Sequence, residues 1–327
     1  MSAPVIAGLG EALLRLSTPG HERLEHAGSL EVHVGGAELN ALTAAVSGGA
    51  RATWITRLAD NPLGRRIAAH ARAHDVRAVV DWDEDARAPL YFVEHGVAPR
   101  PSEVHYDRRD TAMTALAADG FDWDELVDGA GAVLTSGITC ALGSGPAAAV
   151  VALLAAARAG GATTAFDVNH RERLWSWDDA LPVLHEVAGH VDVLVASGHD
   201  LERLLDREGE PVDLARAAID GLGPRTVLMR DTVERPGGRI AVTATAVTAD
   251  REHVSRPYEA TVVDAFGAGD AALGTFLAGV LLGDDPDDAV ESAAWAAAFQ
   301  HTVPGDAWIG RPSDRERLSD PRRRILR

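Results

Sequence analysis

The chain has 327 residues, of which 46% are hydrophobic, enough for one large α/β domain or two ordinary ones. Its formal net charge of −18 opposes sequence-independent binding to nucleic acid or to anionic membranes. The single cysteine, Cys140, excludes an intrachain disulfide framework and a cysteine-cluster metal site, which predicts a reducing, cytoplasmic location. No apolar run of the sequence reaches membrane-spanning length, and residues 1–10 lack the pattern of a secretory signal.

The N-terminal part of the chain predicts a buried strand, an edge strand and a helix. Residues 5–10 form a short apolar run, and residues 24–34 loosely alternate between apolar and polar side chains. The run Gly35-Gly36-Ala37-Glu38-Leu39-Asn40 then leads into an Ala-rich helix over residues 41–47. A glycine turn before a helix is by itself compatible with a purely structural role.

Two further strands are predicted between residues 88 and 108. Residues 90–94 and 103–106 are rich in aromatic and β-branched side chains, and a segment containing Gly and Pro separates them. Together with the strand near Val32, they predict a small sheet outside the main domain. Considered alone, such a hairpin is typical of a solvent-facing element with ordinary aromatic cross-strand pairs.

Beyond residue 130 the sequence alternates between short apolar strands and helices. The strands lack polar alternation, which is typical of a parallel sheet covered by helices on both faces. They are predicted at residues 132–137, 163–168, 191–196 and 225–230. Ligands bind such sheets at the carboxyl ends of the strands. Asp167, Asn169 and Arg171 follow one of these strands and are therefore candidate binding residues.

The stretch from Thr261 to Gly274 has the composition of a strand, a Gly-Ala-Gly turn and a buried helix. Glycines let the backbone approach a ligand closely, and the first N–H groups of a helix have no partners inside it. Such a helix start attracts anions. From the residues alone, Asp270 is either an N-terminal cap or a base beside a bound phosphate.

The sequence resembles the ribokinase-like (PfkB) carbohydrate kinases at both ends. Asp264-x-x-Gly267-Ala268-Gly269-Asp270 is similar to the family's C-terminal D-T-x-G-A-G-D motif, although Ala265 and Phe266 depart from its Thr-rich lead-in. The G-G-A-x-x-N run at residues 35–40, followed by Asp60 and Gly64, resembles the N-terminal block. Two motifs in the correct order are far more specific than either one.

One branch of the family, the 2-keto-3-deoxygluconate kinases, is more similar than the others. The run Asp167-x-Asn169-x-Arg171-x-x-Leu174-Trp175 resembles the D-x-N-x-R-x-x-L-W run of that branch. The order Tyr91, Tyr106 and Arg108 in the predicted small sheet is also similar. In that branch two tyrosines and arginines contact the sugar acid, and a guanidinium suits a carboxylate because it binds both oxygens at once.

The resemblance implies ATP-dependent phosphorylation of the 6-hydroxyl of 2-keto-3-deoxygluconate or a close sugar acid. It implies that Asp270 is the general base and that Gly267, Ala268 and Gly269 form an anion hole for the phosphoryl group. The residues it implies for substrate binding are Gly36, Ala37, Asn40, Tyr91, Tyr106, Arg108, Asn169, Arg171 and Asp270.

The cofactors implied are ATP and Mg²⁺, with the ion held chiefly by phosphates and water rather than by protein ligands. The residues implied for the nucleotide are Ser197, Arg230, Gly238, Gly267 and Gly269. Here the sequence departs from the family, because Arg230 replaces the lysine of a K-x-G-x-x-G run and Thr232 replaces its first glycine. Asp264 is expected to shape the loop and is a candidate ligand for a monovalent cation, as in some relatives.

The resemblance covers about residues 4–318 and implies one ribokinase-like domain, 1–327. Its expected fold is a three-layer α/β/α arrangement with a mostly parallel central sheet and β-lid strands inserted at about 24–36 and 88–108. The partners expected are the sugar acid, ATP and further copies of the chain through the lid, with neither nucleic acid nor membrane. Two alternatives stay open: a family kinase for another sugar or a nucleoside, and a sugar-acid-binding pseudokinase. The arginines argue against the first, and the intact Gly-Ala-Gly-Asp run argues against the second.

Overall fold

The described part of the chain, residues 3–311 and 313–315 of a computed structural model, contains two β-sheets and a set of α-helices. Both ends of the predicted domain therefore lie outside the described residues. The strands are β1 (Val5–Leu9), β2 (Leu13–Ser17), β3 (Glu31–Gly35), β4 (Arg51–Ala59), β5 (Val76–Asp83), β6 (Leu90–Glu94), β7 (Glu103–Asp107), β8 (Ala132–Ser136), β9 (Thr163–Asp167), β10 (Val193–Val195), β11 (Thr226–Arg235), β12 (Arg239–Thr248), β13 (Glu252–Val254) and β14 (Tyr258–Thr261). The helices are α1 (Ala37–Ser47), α2 (Pro62–Ala73), α3 (Trp123–Val127), α4 (Gly137–Cys140), α5 (Ser144–Ala159), α6 (Trp177–Ala188), α7 (Gly198–Leu205), α8 (Pro211–Leu222), α9 (Ala268–Leu282) and α10 (Pro286–Gln300).

The large sheet is mostly parallel and is buried on both faces. In the described residues its parallel strands follow the order β11-β10-β9-β8-β1-β4-β5, and β12 adds an antiparallel edge that pairs with β13 and β14. Adjacent residues of one strand point to opposite faces. Ile6 and Trp54 accordingly belong to one hydrophobic core, whereas Ala7 and Ile55 belong to the other. Burial on both faces explains why these strands show no polar alternation.

Helices cover both faces of the large sheet. Helices α1, α2, α9 and α10 contribute to the core on one face, and α3 to α8 contribute to the core on the other. The predicted three-layer α/β/α fold is therefore confirmed. None of the helices in the described ranges is both long and apolar enough to span a membrane.

A small sheet of order β3-β2-β6-β7 lies outside the three layers. Its strands β3, β6 and β7 fall within the segments predicted for the lid, although β3 begins at Glu31 rather than near residue 24. Strand β2, which pairs with both β3 and β6, was not predicted. Its central residue, Arg15, is charged but only 1% exposed, so exposed and buried residues do not alternate along this strand.

Helices α1 and α9 pack against each other at very short distance. A Cβ atom added to Gly274 of α9 would lie 2.0 Å from the carbonyl oxygen of Ala41 in α1, so only glycine permits this approach. The contact carries the start of α1, which follows the Gly35-Gly36 turn, towards the start of α9, which follows Gly267. Two motifs from opposite ends of the chain thereby reach one place.

Candidate active site

A cavity of about 640 Å³ lies at the carboxyl ends of the parallel strands and is lined by residues of both sheets. This is the expected position for a ligand in an open α/β sheet. Every predicted site residue lines the cavity except Gly238. Gly238 lies in the turn between β11 and β12, where its carbonyl accepts a hydrogen bond from the Val262 amide. The strands β11 and β12 pair on past Arg230 as far as Arg235 and Arg239, which carries the turn beyond the cavity, so a contact of Gly238 with the nucleotide stays a prediction.

The Gly-Ala-Gly turn closes one side of the cavity. Gly267 has φ of +76°, and a Cβ atom there would lie 2.3 Å from the carbonyl oxygen of Asp306, so glycine is required twice over. Helix α9 begins at Ala268, and the first amide groups of a helix have no partners inside it. A Cβ atom on Gly269 would meet only Nη2 of Arg230, at 4.0 Å. A guanidinium therefore lies beside a turn that is suited to an anion.

Asp270 lies in the first turn of α9 and is held by Asn40 of α1. The Asn40 amide donates from Nδ2 to Oδ2 of Asp270 over 2.8 Å. Burial in the cavity floor raises the pKa of Asp270 to about 6, although the Asn40 hydrogen bond and the charges of Arg171 and Arg230 lower it in part. Asp270 is thus a carboxylate that can take up a proton near neutral pH.

A second carboxylate, Asp167, lines the cavity at the end of β9. Burial raises the pKa of Asp167 to about 7, and the charges of Asp270 and Asp200 add to the effect. The next residues turn sharply, because Asn169 has φ of +38° and its backbone amide donates to Oδ1 of Asp167 over 3.1 Å. Asparagine tolerates this left-handed conformation better than most residues. The turn directs the chain so that Arg171 reaches the cavity.

The two arginines predicted to hold the substrate carboxylate differ in their surroundings. Arg171 is exposed to the cavity, and within the described residues its guanidinium makes no hydrogen bond and no ion pair. Arg108 is almost buried and donates to the carboxylate of Glu11, which also accepts from Thr111 over 3.1 Å. Glu11 therefore neutralises Arg108, whereas Arg171 carries a charge that no carboxylate of the described residues pairs with.

The two predicted tyrosines stack on adjacent strands of the small sheet. The rings of Tyr91 and Tyr106 lie 5.8 Å apart and nearly parallel. Tyr91 is 3% exposed and donates its hydroxyl to Oδ1 of Asp306 over 2.5 Å, whereas Tyr106 is more open. The sequence prediction missed Asp306 and Glu11. Glu11 follows the first strand at its carboxyl end, a position that the general rule for α/β sheets favours; Asp306 lies in a loop after α10 that no motif marked.

Ser197 and Asp200 form the N-terminal cap of α7 at the cavity wall. Ser197 donates from its backbone amide and its hydroxyl to Oδ2 of Asp200, over 2.9 and 2.7 Å, and the Asp200 amide donates back to the hydroxyl over 3.1 Å. This is a capping box, which stabilises the start of a helix. The other carboxylate oxygen of Asp200, Oδ1, takes no part in the capping box.

Glu38 lies next to the cavity in the first turn of α1. Its Oε1 accepts from the hydroxyl groups of Ser136 and Thr139 over 2.6 and 2.8 Å, and its side chain packs so tightly on Gly10 that a Cβ atom there would lie 2.1 Å from Oε2. Burial raises the pKa of Glu38 to about 7, against the lowering effect of these two hydroxyl groups. The contacts fix the start of α1, and with it Asn40.

Comparison with known proteins identifies the family. The family described as pfkB family carbohydrate kinase matches residues 6–308. The chain belongs to this family. A 2-dehydro-3-deoxygalactonokinase of Haloferax volcanii is 38% identical to this carbohydrate kinase, with 97% of each chain covered. A 2-dehydro-3-deoxygluconokinase of Thermoproteus tenax is 33% identical and covers 92% of the kinase and 89% of its own length.

A solved structure leads to the same family. The crystal structure of a 2-dehydro-3-deoxygluconokinase from Thermotoga maritima matches this carbohydrate kinase with a TM-score of 0.92 and 32% identity. The match covers 97% of the kinase and 98% of the other chain. The ribokinase-like fold and the membership of the family, both expected from the motifs, are thus confirmed.

Proposed function

We propose that this carbohydrate kinase transfers the γ-phosphoryl group of ATP to the 6-hydroxyl of a 2-keto-3-deoxy sugar acid. The observation that carries the proposal is the unpaired guanidinium of Arg171 in the same cavity as Asp270. A neutral sugar would leave that charge without a partner, whereas a carboxylate matches it. The two curated relatives described above are both named for sugar acids of this class.

Asp270 is proposed to act as the general base. Its Oδ2 is engaged by Asn40, which leaves Oδ1 to accept the proton of the 6-hydroxyl. The hydroxyl oxygen then bonds to the γ-phosphorus, the bond from that phosphorus to the oxygen of the leaving ADP breaks, and the proton remains on Asp270. The amides at Gly267, Ala268 and Gly269 stabilise the negative charge that develops on the phosphoryl oxygens.

Arg230 and the α7 cap are proposed to face the triphosphate. Arg230 lies beside Gly269, so its charge offsets that of the phosphates. The described residues contain no group of three or more His, Cys, Asp or Glu side chains that could hold a metal, which suits an ion bound mainly by phosphates and water. Asp167 and Asp200 are the oxygen donors that would orient this water. Mg²⁺, when bound, supplies charge neutralisation of the phosphates.

Tyr91, Tyr106 and Arg108 are proposed to contact the sugar from the small sheet, and Gly36, Ala37 and Asn169 from the large one. The Arg108 guanidinium is held by Glu11, and its Nε is buried without a hydrogen-bond partner among the described residues. Its charge is already matched by Glu11, and the residue lines the cavity. We therefore assign Arg108 to a sugar oxygen and Arg171 to the carboxylate.

The test is ADP release from ATP and Mg²⁺ by the purified protein. The substrates to compare are 2-keto-3-deoxygalactonate, 2-keto-3-deoxygluconate, fructose, ribose and adenosine, with Asp270→Asn as the matched control. Turnover of a keto-deoxy acid that disappears in the control is the expected result. Turnover of a neutral sugar alone would overturn the role of Arg171, and binding of a sugar acid without any ATP binding would favour a pseudokinase.

A further inference from the structure

Arg15, at the centre of β2, is a buried cation that the proposed reaction does not use. It is 1% exposed, and it ties together segments that are far apart in the sequence. Nη2 donates to Oδ2 of Asp264 over 2.7 Å, and Nη1 donates to Oδ2 of Asp306 over 3.1 Å. The other donors reach Ser17 Oγ over 2.8 Å and His95 Nε2 over 3.0 Å.

Both acidic partners of Arg15 contact the loop that carries the Gly-Ala-Gly turn. Asp264 begins the loop that leads to Gly267, and it also accepts from the amide of Gly305 over 3.0 Å. Asp306 packs its carbonyl oxygen against Gly267, where a Cβ atom would lie 2.3 Å away. Two aspartates therefore flank the Gly-Ala-Gly turn, and both accept hydrogen bonds from the guanidinium of Arg15.

The same guanidinium reaches the sugar side. Arg15 is aligned with Tyr91 in the β2–β6 pairing, and Tyr91 donates its hydroxyl to the other carboxylate oxygen of Asp306. The guanidinium also lies 4.4 Å from the centre of the Phe266 ring. A cation over an aromatic face is an attractive contact. This contact gives a reason for Phe266, one of the two residues that depart from the Thr-rich lead-in of the family motif.

We propose that Arg15 is a positioning residue that locks the loop carrying the Gly-Ala-Gly turn to the small sheet, so that the phosphoryl-binding amides and the sugar-binding tyrosines are held in register. This inference rests on the proposed function for its kinetic part. Burying an ion pair costs desolvation and is weak evidence for stability, so the value of such a network lies in the geometry it fixes.

The kinetic test compares Arg15→Ala and Arg15→Lys with a matched control. Arg57→Ala removes an arginine that also joins two carboxylates, Asp81 over 3.2 Å and Asp83 over 2.8 Å, but lies outside the cavity. We expect Arg15→Ala to lower kcat by about 10- to 100-fold, because small displacements of reacting groups cost this much. Added guanidinium ion should restore part of the loss, equal ionic strength from sodium chloride should not, and Arg57→Ala should keep the parent kcat.

A readout that does not depend on turnover separates this inference from the proposed function. Hydrogen exchange of the peptide covering residues 262–270 should be faster in Arg15→Ala than in the parent and unchanged in Arg57→Ala. If Arg15→Ala does not fold, Arg15→Lys, which keeps one charge and one contact, should show the same effects at smaller size. Parent kcat and parent exchange in the folded variants, or a kcat loss that guanidinium does not restore, would overturn the proposal. Lack of turnover by the parent with every keto-deoxy acid would overturn the proposed function, and the exchange data would still decide the role of Arg15.

Discussion

Asn40 and Asp270 are 230 residues apart in the sequence and are joined by a 2.8 Å hydrogen bond. The bond orients the carboxylate and stabilises its charged form, which is the form that a base requires. We expect Asp270→Asn to lower kcat by about 10²- to 10⁴-fold, the usual size of a general-base contribution. The dissociation constants of sugar acid and ATP, measured by calorimetry, should stay close to those of the parent. Normal turnover would remove the assignment of Asp270 as the base.

If Asp270 is the base, we expect its pKa of about 6 to set the acidic limb of the pH profile. A base acts only when unprotonated, so kcat/KM should fall as the pH drops through about 6. Asn40→Ala removes a hydrogen bond that lowers this pKa, and the limb should therefore move to higher pH. The measurement is kcat/KM for a sugar acid across the pH range, with both proteins in the same buffers. A limb at the same pH in both would contradict the role of the Asn40 hydrogen bond.

Substitution of Arg171 should mainly change KM, whereas substitution of Arg108 should mainly change the melting temperature. Arg171→Gln removes an unpaired charge, so KM for a sugar acid should rise by about 10- to 100-fold, as for the loss of a hydrogen bond between charged groups, with little change in the melting temperature. Arg171→Lys should raise KM less. Arg108→Gln leaves the buried Glu11 without its partner, so the melting temperature should fall clearly.

The control for the arginine variants is Arg158→Gln, which changes an exposed arginine whose side chain, among the described residues, donates only to the carbonyl of Gly189. It should leave both KM and the melting temperature unchanged. An unchanged KM in Arg171→Gln would sink the carboxylate contact, and an unchanged melting temperature in Arg108→Gln would show that the Glu11 pair is not needed for stability.

The close approach of α1 and α9 should make Gly274 intolerant of a methyl group. Gly274→Ala places a Cβ atom against the Ala41 carbonyl, so the free energy of unfolding should fall by about 1–3 kcal/mol, the usual cost of overpacking. Because the packing of α1 against α9 positions Asn40 and Asp270, kcat should fall as well. Gly221→Ala in α8, where a Cβ atom meets nothing within 4 Å, should be neutral or stabilising by up to about 1 kcal/mol. Equal stability of the two variants would contradict the packing argument.

Glu38 should make stability fall as the pH rises. Its pKa is about 7 in the folded protein against 4.5 ordinarily, so between these values the folded state binds more protons than the unfolded state. The stabilising contribution is therefore complete below pH 4.5 and is lost as the pH rises through about 7, by about 3 kcal/mol in total. Urea unfolding at several pH values should show a flatter dependence in Glu38→Gln than in the parent. The same slope in both would exclude this source.

The sequence predicted the fold because its signals are local. Apolar strands without polar alternation, such as β8 and β9, indicate from their own sequence that both faces of the sheet are covered. Several cavity residues predicted from motifs lie just after a strand or in the first turn of a helix, such as Asn169, Asn40 and Asp270, and the rule that parallel strands end at one edge brings them together. Strand β2 was not predicted because an arginine is usually exposed. Only the fold shows that Asp264 and Asp306 neutralise Arg15 inside the protein.

The charge state of the site could not be predicted from the sequence. Arg108 and Arg171 look alike as residue types, and only the fold brings Glu11 to Arg108, across 97 positions of sequence. Asp306 reaches Tyr91 across 215 positions, so no short pattern could report it. The position of Gly238 outside the cavity could not be predicted either, because the length of the β11–β12 hairpin is set by strand pairing rather than by its glycines.

The seam between α1 and α9 also bears on how the protein is made. Helix α1 leaves the ribosome long before α9, and until then the face of α1 that packs on α9 lacks this partner. Nascent chains with exposed apolar surface of this kind are prone to aggregation. The last quarter of the chain thus completes a hydrophobic core that the first quarter begins. The N-terminal half expressed alone would therefore expose an apolar helix face that chaperones bind, and it would not form a working enzyme.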